Sequence, residues 1–98
     1  MITRSYYNND RTCRVTFRYC PDGDAKEVHL VSSHDNWDTG ARPMAARKDG
    51  CFSTSLVLKS GSRVHFRYLV DGSIWVNDDD ADEYVNNNHG ETDCVIVI

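Results

Sequence analysis

Residues 63–70 alternate strictly, with Val64, Phe66, Tyr68 and Val70 on one side of an extended chain and Arg63, His65, Arg67 and Leu69 on the other. The run stops at Asp71-Gly72, after which Ile74, Trp75 and Val76 resume an apolar segment. Asp-Gly between two such runs predicts a two-residue hairpin, because both central residues of that turn adopt a left-handed backbone. The register puts Val64, Phe66 and Tyr68 into a core with Phe17 and Leu56. His65 and Arg67 are then left outside.

The rest of the chain carries the same period. Val15, Phe17 and Tyr19 alternate with Arg14, Thr16 and Arg18 through residues 13–20, and Pro21-Asp22-Gly23-Asp24 then forms a turn. Further strands are expected over 27–32, through Val28 and Leu30, and over 51–58, through Phe52, Leu56 and Leu58. The unbroken apolar run Cys94-Val95-Ile96-Val97-Ile98 suits a strand covered on both faces. Between the second and third strands, residues 33–47 form a long loop holding Asn36-Trp37-Asp38-Thr39-Gly40 and Pro43, with room for a short strand near Met44. No segment has the 3.6-residue apolar period of a dependable helix. A chain of 98 residues supports one modest core. The expectation is an all-β, immunoglobulin-like antiparallel sandwich of seven or eight strands over 13–98, preceded by a polar, flexible segment, 1–12.

Charge and composition narrow the function. A formal net charge of -4 gives no basic face for phosphate groups, so nucleic acid is not an expected partner. No apolar run approaches the roughly 20 residues that span a bilayer, so no membrane partner is expected either. The first ten residues lack the apolar region of a secretory signal, which points to the cytoplasm. On that basis Cys13, Cys20, Cys51 and Cys94 are expected as reduced, packed thiols, two disulfides being the alternative. Their spacings suit no zinc site, and no cofactor is expected. The acidic run Asp78-Asp79-Asp80-Ala81-Asp82-Glu83 fails the calcium-loop pattern, since Glu83 and His89 occupy its sixth and twelfth positions where Gly and Glu are needed. A solvated loop is expected there. Glycoside hydrolysis needs two carboxylates fixed across a cleft, which loop carboxylates on one small sandwich rarely provide, so no catalytic residue is expected.

Two stretches, Val28-His29-Leu30-Val31-Ser32-Ser33-His34-Asp35-Asn36-Trp37 and Val64 through Trp75-Val76-Asn77-Asp78, resemble family 48 carbohydrate-binding modules. These are the glycogen-binding domains of the AMP-activated kinase β subunit and the early-set N-terminal domains of isoamylase, branching and debranching enzymes of glycoside hydrolase family 13. The tail Asp80-Ala81-Asp82-Glu83-Tyr84-Val85-Asn86-Asn87-Asn88 is similar to the bacterial forms. The resemblance spans roughly residues 13–98 and implies an early-set sandwich that binds glycogen, starch or maltooligosaccharide without catalysis. By motif position it implies carbohydrate contacts from Trp37, Arg67, Trp75 and Asp93. Arg67 stands where Lys is frequent, and Asp93 where Asn is expected. His89 lies near the place where some members carry an apolar side chain that enters a cyclic oligosaccharide.

The chemistry of these residues agrees with that implication. A glucose ring has apolar C–H faces and a rim of hydroxyls, so it calls for exposed aromatic planes and polar groups at their edges. The competing reading makes either Trp a core residue, Arg67 a solvated strand residue and Asp93 a turn cap or the partner of a nearby cation. If Arg67 and Asp93 changed together, they are expected to form an ion pair. The expected partners are α-1,4-glucan and a glycogen-metabolising enzyme or a kinase-type regulatory complex. The alternative function is a sugar-silent interaction domain packed on such a protein, or the accessory domain of a family 13 glycoside hydrolase.

Overall fold

The computed structural model describes residues 1–87 and 90–98, so His89 lies outside the described residues. Nine strands are described: β1 Ile2–Tyr7, β2 Thr12–Tyr19, β3 Val28–Ser32, β4 Ala45–Ala46, β5 Phe52–Lys59, β6 Arg63–Val70, β7 Ile74–Val76, β8 Glu83–Asn86 and β9 Thr92–Val97. A 3-10 turn, Ser33–Asp35, follows β3. The strands form two antiparallel sheets, β1-β2-β5-β4 and β3-β6-β9-β8, with β7 added to β6. This is an immunoglobulin-like sandwich, with two more strands than the lower expected number.

The alternation places the core. Val15 and Phe17 of β2, Leu56 of β5, and Val64, Phe66 and Tyr68 of β6 are all buried in one cluster, as the register requires. Phe17 meets Phe66 edge-on at 5.0 Å between ring centroids, and Tyr19 stacks on Tyr68 at 5.2 Å. Strand β6 is the spine of the second sheet. One edge pairs with β3, and the other pairs with β9 over its first half and β7 over its second. The β6–β7 turn is the expected one: Asp71 and Gly72 both have positive φ, 50° and 73°, and the Ser73 N–H donates to the Val70 carbonyl at 3.1 Å. Asp71 also accepts the N–H groups of Lys26 and Glu27 at 2.8 and 3.0 Å. These bonds hold its carboxyl below the usual carboxylate range and tie the hairpin to the start of β3.

Four expectations are corrected. Within segment 1–12, residues 2–7 form strand β1, paired to β2 from Ile2 opposite Phe17 to Tyr7 opposite Thr12. Ile2 closes the core while Arg4 is half-buried and the other side chains are exposed, so the segment looks polar in sequence. Strand β8 lies in the acidic, Asn-rich stretch read as loop, pairing with β9 across Tyr84 and Cys94. Cys20 and Cys51 form a disulfide, while Cys13 and Cys94 are free and buried. The β2–β5 register explains the bond: Tyr19 sits opposite Phe52, so the next pair outward is Cys20 and Cys51, with Cα atoms 4.2 Å apart.

The fourth correction is Asp78, which is 5% exposed rather than solvated. Its Oδ2 accepts the Tyr68 hydroxyl at 2.5 Å and its Oδ1 the Asp80 N–H at 2.7 Å. Its own N–H donates to Cys94 Sγ at 3.2 Å, and its carbonyl accepts the Tyr84 hydroxyl at 2.5 Å. One residue thus ties together β6, β8 and β9.

This buried cluster gives the fold an alkaline limit. Burial pushes the Cys94 thiol up to about 11 from an ordinary 9.0. Burial first, and the bond to Asp78 second, also raise the Tyr68 phenol above its ordinary 10.0. Both protons are held more tightly folded than unfolded, so their stabilisation is complete below the unfolded pKa values and lost above them. For Cys94 the loss falls between pH 9.0 and about 11 and is on the order of 3 kcal/mol, Tyr68 adding to the slope above about pH 10. Urea midpoints measured from pH 8 to pH 10 should fall for the wild type and fall less for Cys94→Val. Equal slopes would remove Cys94 from this account.

Candidate functional site

The outer face of the second sheet is unusual for a surface. Val31 of β3 and Val95 of β9 are fully buried and Leu69 of β6 nearly so, yet none belongs to the inter-sheet core cluster. On this side of the molecule lies an open groove of about 580 Å³ lined by Val31, Trp37, Thr39, Arg67, Trp75, Asn87, Glu91 and Asp93. Trp37, Arg67, Trp75 and Asp93, the four described residues expected at a site, all line it.

Trp37 is delivered by the loop after β3. Asn36 and Trp37 both have left-handed backbones, with φ of 55° and 59°. For a bulky residue such as Trp this conformation costs roughly 1–2 kcal/mol and needs support from its surroundings. The Trp37 N–H donates to the Ser32 carbonyl at 2.8 Å, and Gly40 N–H to Asp38 Oδ1 at 2.9 Å. Arg42 closes the loop with two parallel bonds to Asp35, Nε to Oδ2 at 2.9 Å and Nη2 to Oδ1 at 3.1 Å. These bonds hold the Asp35 carboxyl below its usual range. The loop then returns along the free edge of β3, where Met44 N–H meets the Val28 carbonyl at 2.8 Å. Trp37 keeps 40% of its surface exposed despite this anchoring.

Trp75 arrives on the rigid β6–β7 hairpin, opposite Leu69, and is 39% exposed. Neither Trp is a core residue. Arg67 projects from β6 to the groove side, as its register predicted, with its guanidinium carbon 5.3 Å from the centre of the Trp75 ring. Arg67 Nε donates to Asn77 Oδ1 at 3.1 Å, and Nη1 to Glu91 Oε2 at 2.5 Å.

The expected Arg67–Asp93 ion pair is not formed. Asp93 Oδ1 accepts Asn87 Nδ2 at 3.1 Å, and Asp93 Oδ2 lies 3.6 Å from His65 Nδ1. The backbone register does bring the two residues together, since Asp93 is one step beyond the Phe66–Cys94 pair. The side chains diverge because Arg67 is drawn over Trp75 toward Asn77, while Asp93 is held by Asn87 and His65.

Sequence reasoning missed Asn77, Asn87 and Glu91. Asn77 was within reach, because extending the β6–β7 register by one residue from Tyr68 opposite Val76 puts Asn77 across from Arg67. Asn87 and Glu91 close the β8–β9 hairpin, with Asn87 N–H donating to the Glu91 carbonyl at 2.8 Å and Glu91 N–H to Asn87 Oδ1 at 3.1 Å. Without β8 in view, no signal placed them beside Arg67.

Comparison with curated proteins finds no match. Among protein families, the model describing the glycogen recognition site of AMP-activated protein kinase matches residues 13–98, nearly the whole chain. The β-sandwich chain therefore belongs to that family, a group of non-catalytic, accessory carbohydrate-binding modules of family 48.

Proposed function

We propose that the groove binds α-1,4-glucan, with glucose rings stacked on Trp37 and Trp75 and their hydroxyls met by Arg67 and Asp93. The observation that carries this reading is the convergence of two tryptophans, one from the loop after β3 and one from β7, 40% and 39% exposed, on one open groove beside a guanidinium. Single exposed aromatic side chains are ordinary, but two brought to one groove beside a guanidinium offer flat faces on which the C–H faces of glucose can stack. The expected affinity is weak, of roughly micromolar to millimolar strength, because an open groove orders few groups around its ligand. The module would hold glycogen, starch or maltooligosaccharide for a glycogen-metabolising enzyme or a kinase-type regulatory complex.

A native gel cast with glycogen tests this directly, and the folded protein should migrate more slowly than in a gel without it. Equal mobility in both gels would favour the second reading, a sugar-silent domain that packs on a partner protein. That reading has its own support in Arg67, whose guanidinium is already engaged by Glu91 and Asn77.

A further inference from the structure

Three of the residues lining the groove are charged, one positive and two negative: Arg67, Glu91 and Asp93. The Arg67 side chain is 13% exposed, and Glu91 stands outside it with 55% of its side chain open to solvent. A bare guanidinium beside tryptophans would be a good receptor for a phosphate, which it can grip through two parallel N–H donors. Here Glu91 takes one Nη1 donor at 2.5 Å and neutralises the charge, while Asn77 takes Nε at 3.1 Å. Asp93 remains as a second carboxylate, its side chain 10% exposed. Among the described lining residues two carboxylates thus face one guanidinium, within a chain of formal charge -4.

We infer that this groove selects uncharged glucan against the same glucan carrying phosphate monoesters, and that Glu91 is the residue that sets the selection. The inference rests on the glucan-binding reading above. A sugar hydroxyl both donates and accepts, so it can bond to Glu91 or Asp93 as readily as to a guanidinium N–H. A phosphate dianion has only acceptors to offer. It meets two carboxylates at close range and a cation whose charge is already balanced, and like charges facing each other across an interface are strongly disfavoured.

Tryptophan fluorescence titrations with maltoheptaose and with 6-phosphorylated maltoheptaose provide the test, on the wild type and on Glu91→Gln, at about 0.02 M and about 0.5 M salt. The wild type should bind the phosphorylated sugar about tenfold more weakly at low salt, with the gap narrowing at high salt. In Glu91→Gln, which keeps an acceptor oxygen for Arg67, the gap should close or reverse. Equal wild-type affinity for the two sugars would overturn the inference and leave the glucan reading standing. So would a gap that neither salt nor the substitution changes, since that describes steric exclusion. Failure of both proteins to bind either sugar would overturn the glucan reading and the inference with it.

Discussion

Replacing Trp75 with alanine should weaken maltoheptaose binding by about 1–3 kcal/mol, the range in which well-packed aromatic anchors fall at binding surfaces. Two losses combine. The ring itself is removed as a platform, and Arg67 loses the aromatic face beneath its guanidinium, 5.3 Å away. Trp37→Ala should cost a comparable amount, and the double variant should no longer be retarded in a glycogen gel. Stability should change little in either single variant, because each ring is already about two-fifths exposed, at 40% for Trp37 and 39% for Trp75. Removing Trp37 also takes a bulky side chain from a left-handed position. Denaturant midpoints separate the outcomes: an alanine variant that unfolds early would show a structural residue, and one that binds as the wild type would remove that ring from the site.

Asp78→Ala should do the reverse, destabilising the fold by about 2–4 kcal/mol while leaving glucan affinity nearly unchanged in the fraction that folds. The substitution strips the acceptor from the Tyr68 hydroxyl, whose side chain is fully buried, and from the Asp80 N–H. The Tyr68 hydroxyl is enclosed in the core, where an unpaired buried donor costs more than the net value of the bond it loses, whereas the exposed Asp80 N–H can turn to water. Tyr68→Phe should be milder, about 1 kcal/mol, because Asp78 keeps the Asp80 N–H. Urea denaturation of the two variants checks the order, and an Asp78→Ala protein as stable as the wild type would show that the cluster is incidental. Asp78 does not line the groove, although its neighbour Asn77 accepts from Arg67, so affinity is read on the folded fraction and stability by denaturation.

The parts of the fold that were legible share one property: side chains that alternate within a single segment. β6 and its Asp71-Gly72 turn came out with the expected bounds, and Arg67 with the expected face. Where the evidence lies in pairing between distant segments, the reading ran out. β1 carries one core residue, Ile2, and otherwise resembles a polar tail. β8 shows no apolar pattern and exists through its ladder with β9. Asp78 sits among other acids in sequence, and only the approach of Tyr68 and Cys94 shows it to be buried. The site followed the same division. Trp37, Arg67, Trp75 and Asp93 were placed together by resemblance and do share a groove, whereas the partner of Arg67 proved to be Glu91. Choosing between two carboxylates two residues apart takes side-chain geometry that no linear pattern carries.

The Cys20–Cys51 disulfide spans 31 residues of chain, and within that span lie β3, the 3-10 turn, Trp37, its Asp35–Arg42 clamp and β4. The covalent connection makes this stretch a closed ring, threaded into both sheets. A protease that cuts the exposed loop around Thr39 therefore opens the ring without dividing the molecule. The Trp37 side and the Arg42 side of such a nick stay joined through sulfur, and the two ends remain held in their own sheets. An apparently intact protein of unchanged mass, apart from one added water, can thus carry a severed groove-lining loop, visible as two fragments only after reduction.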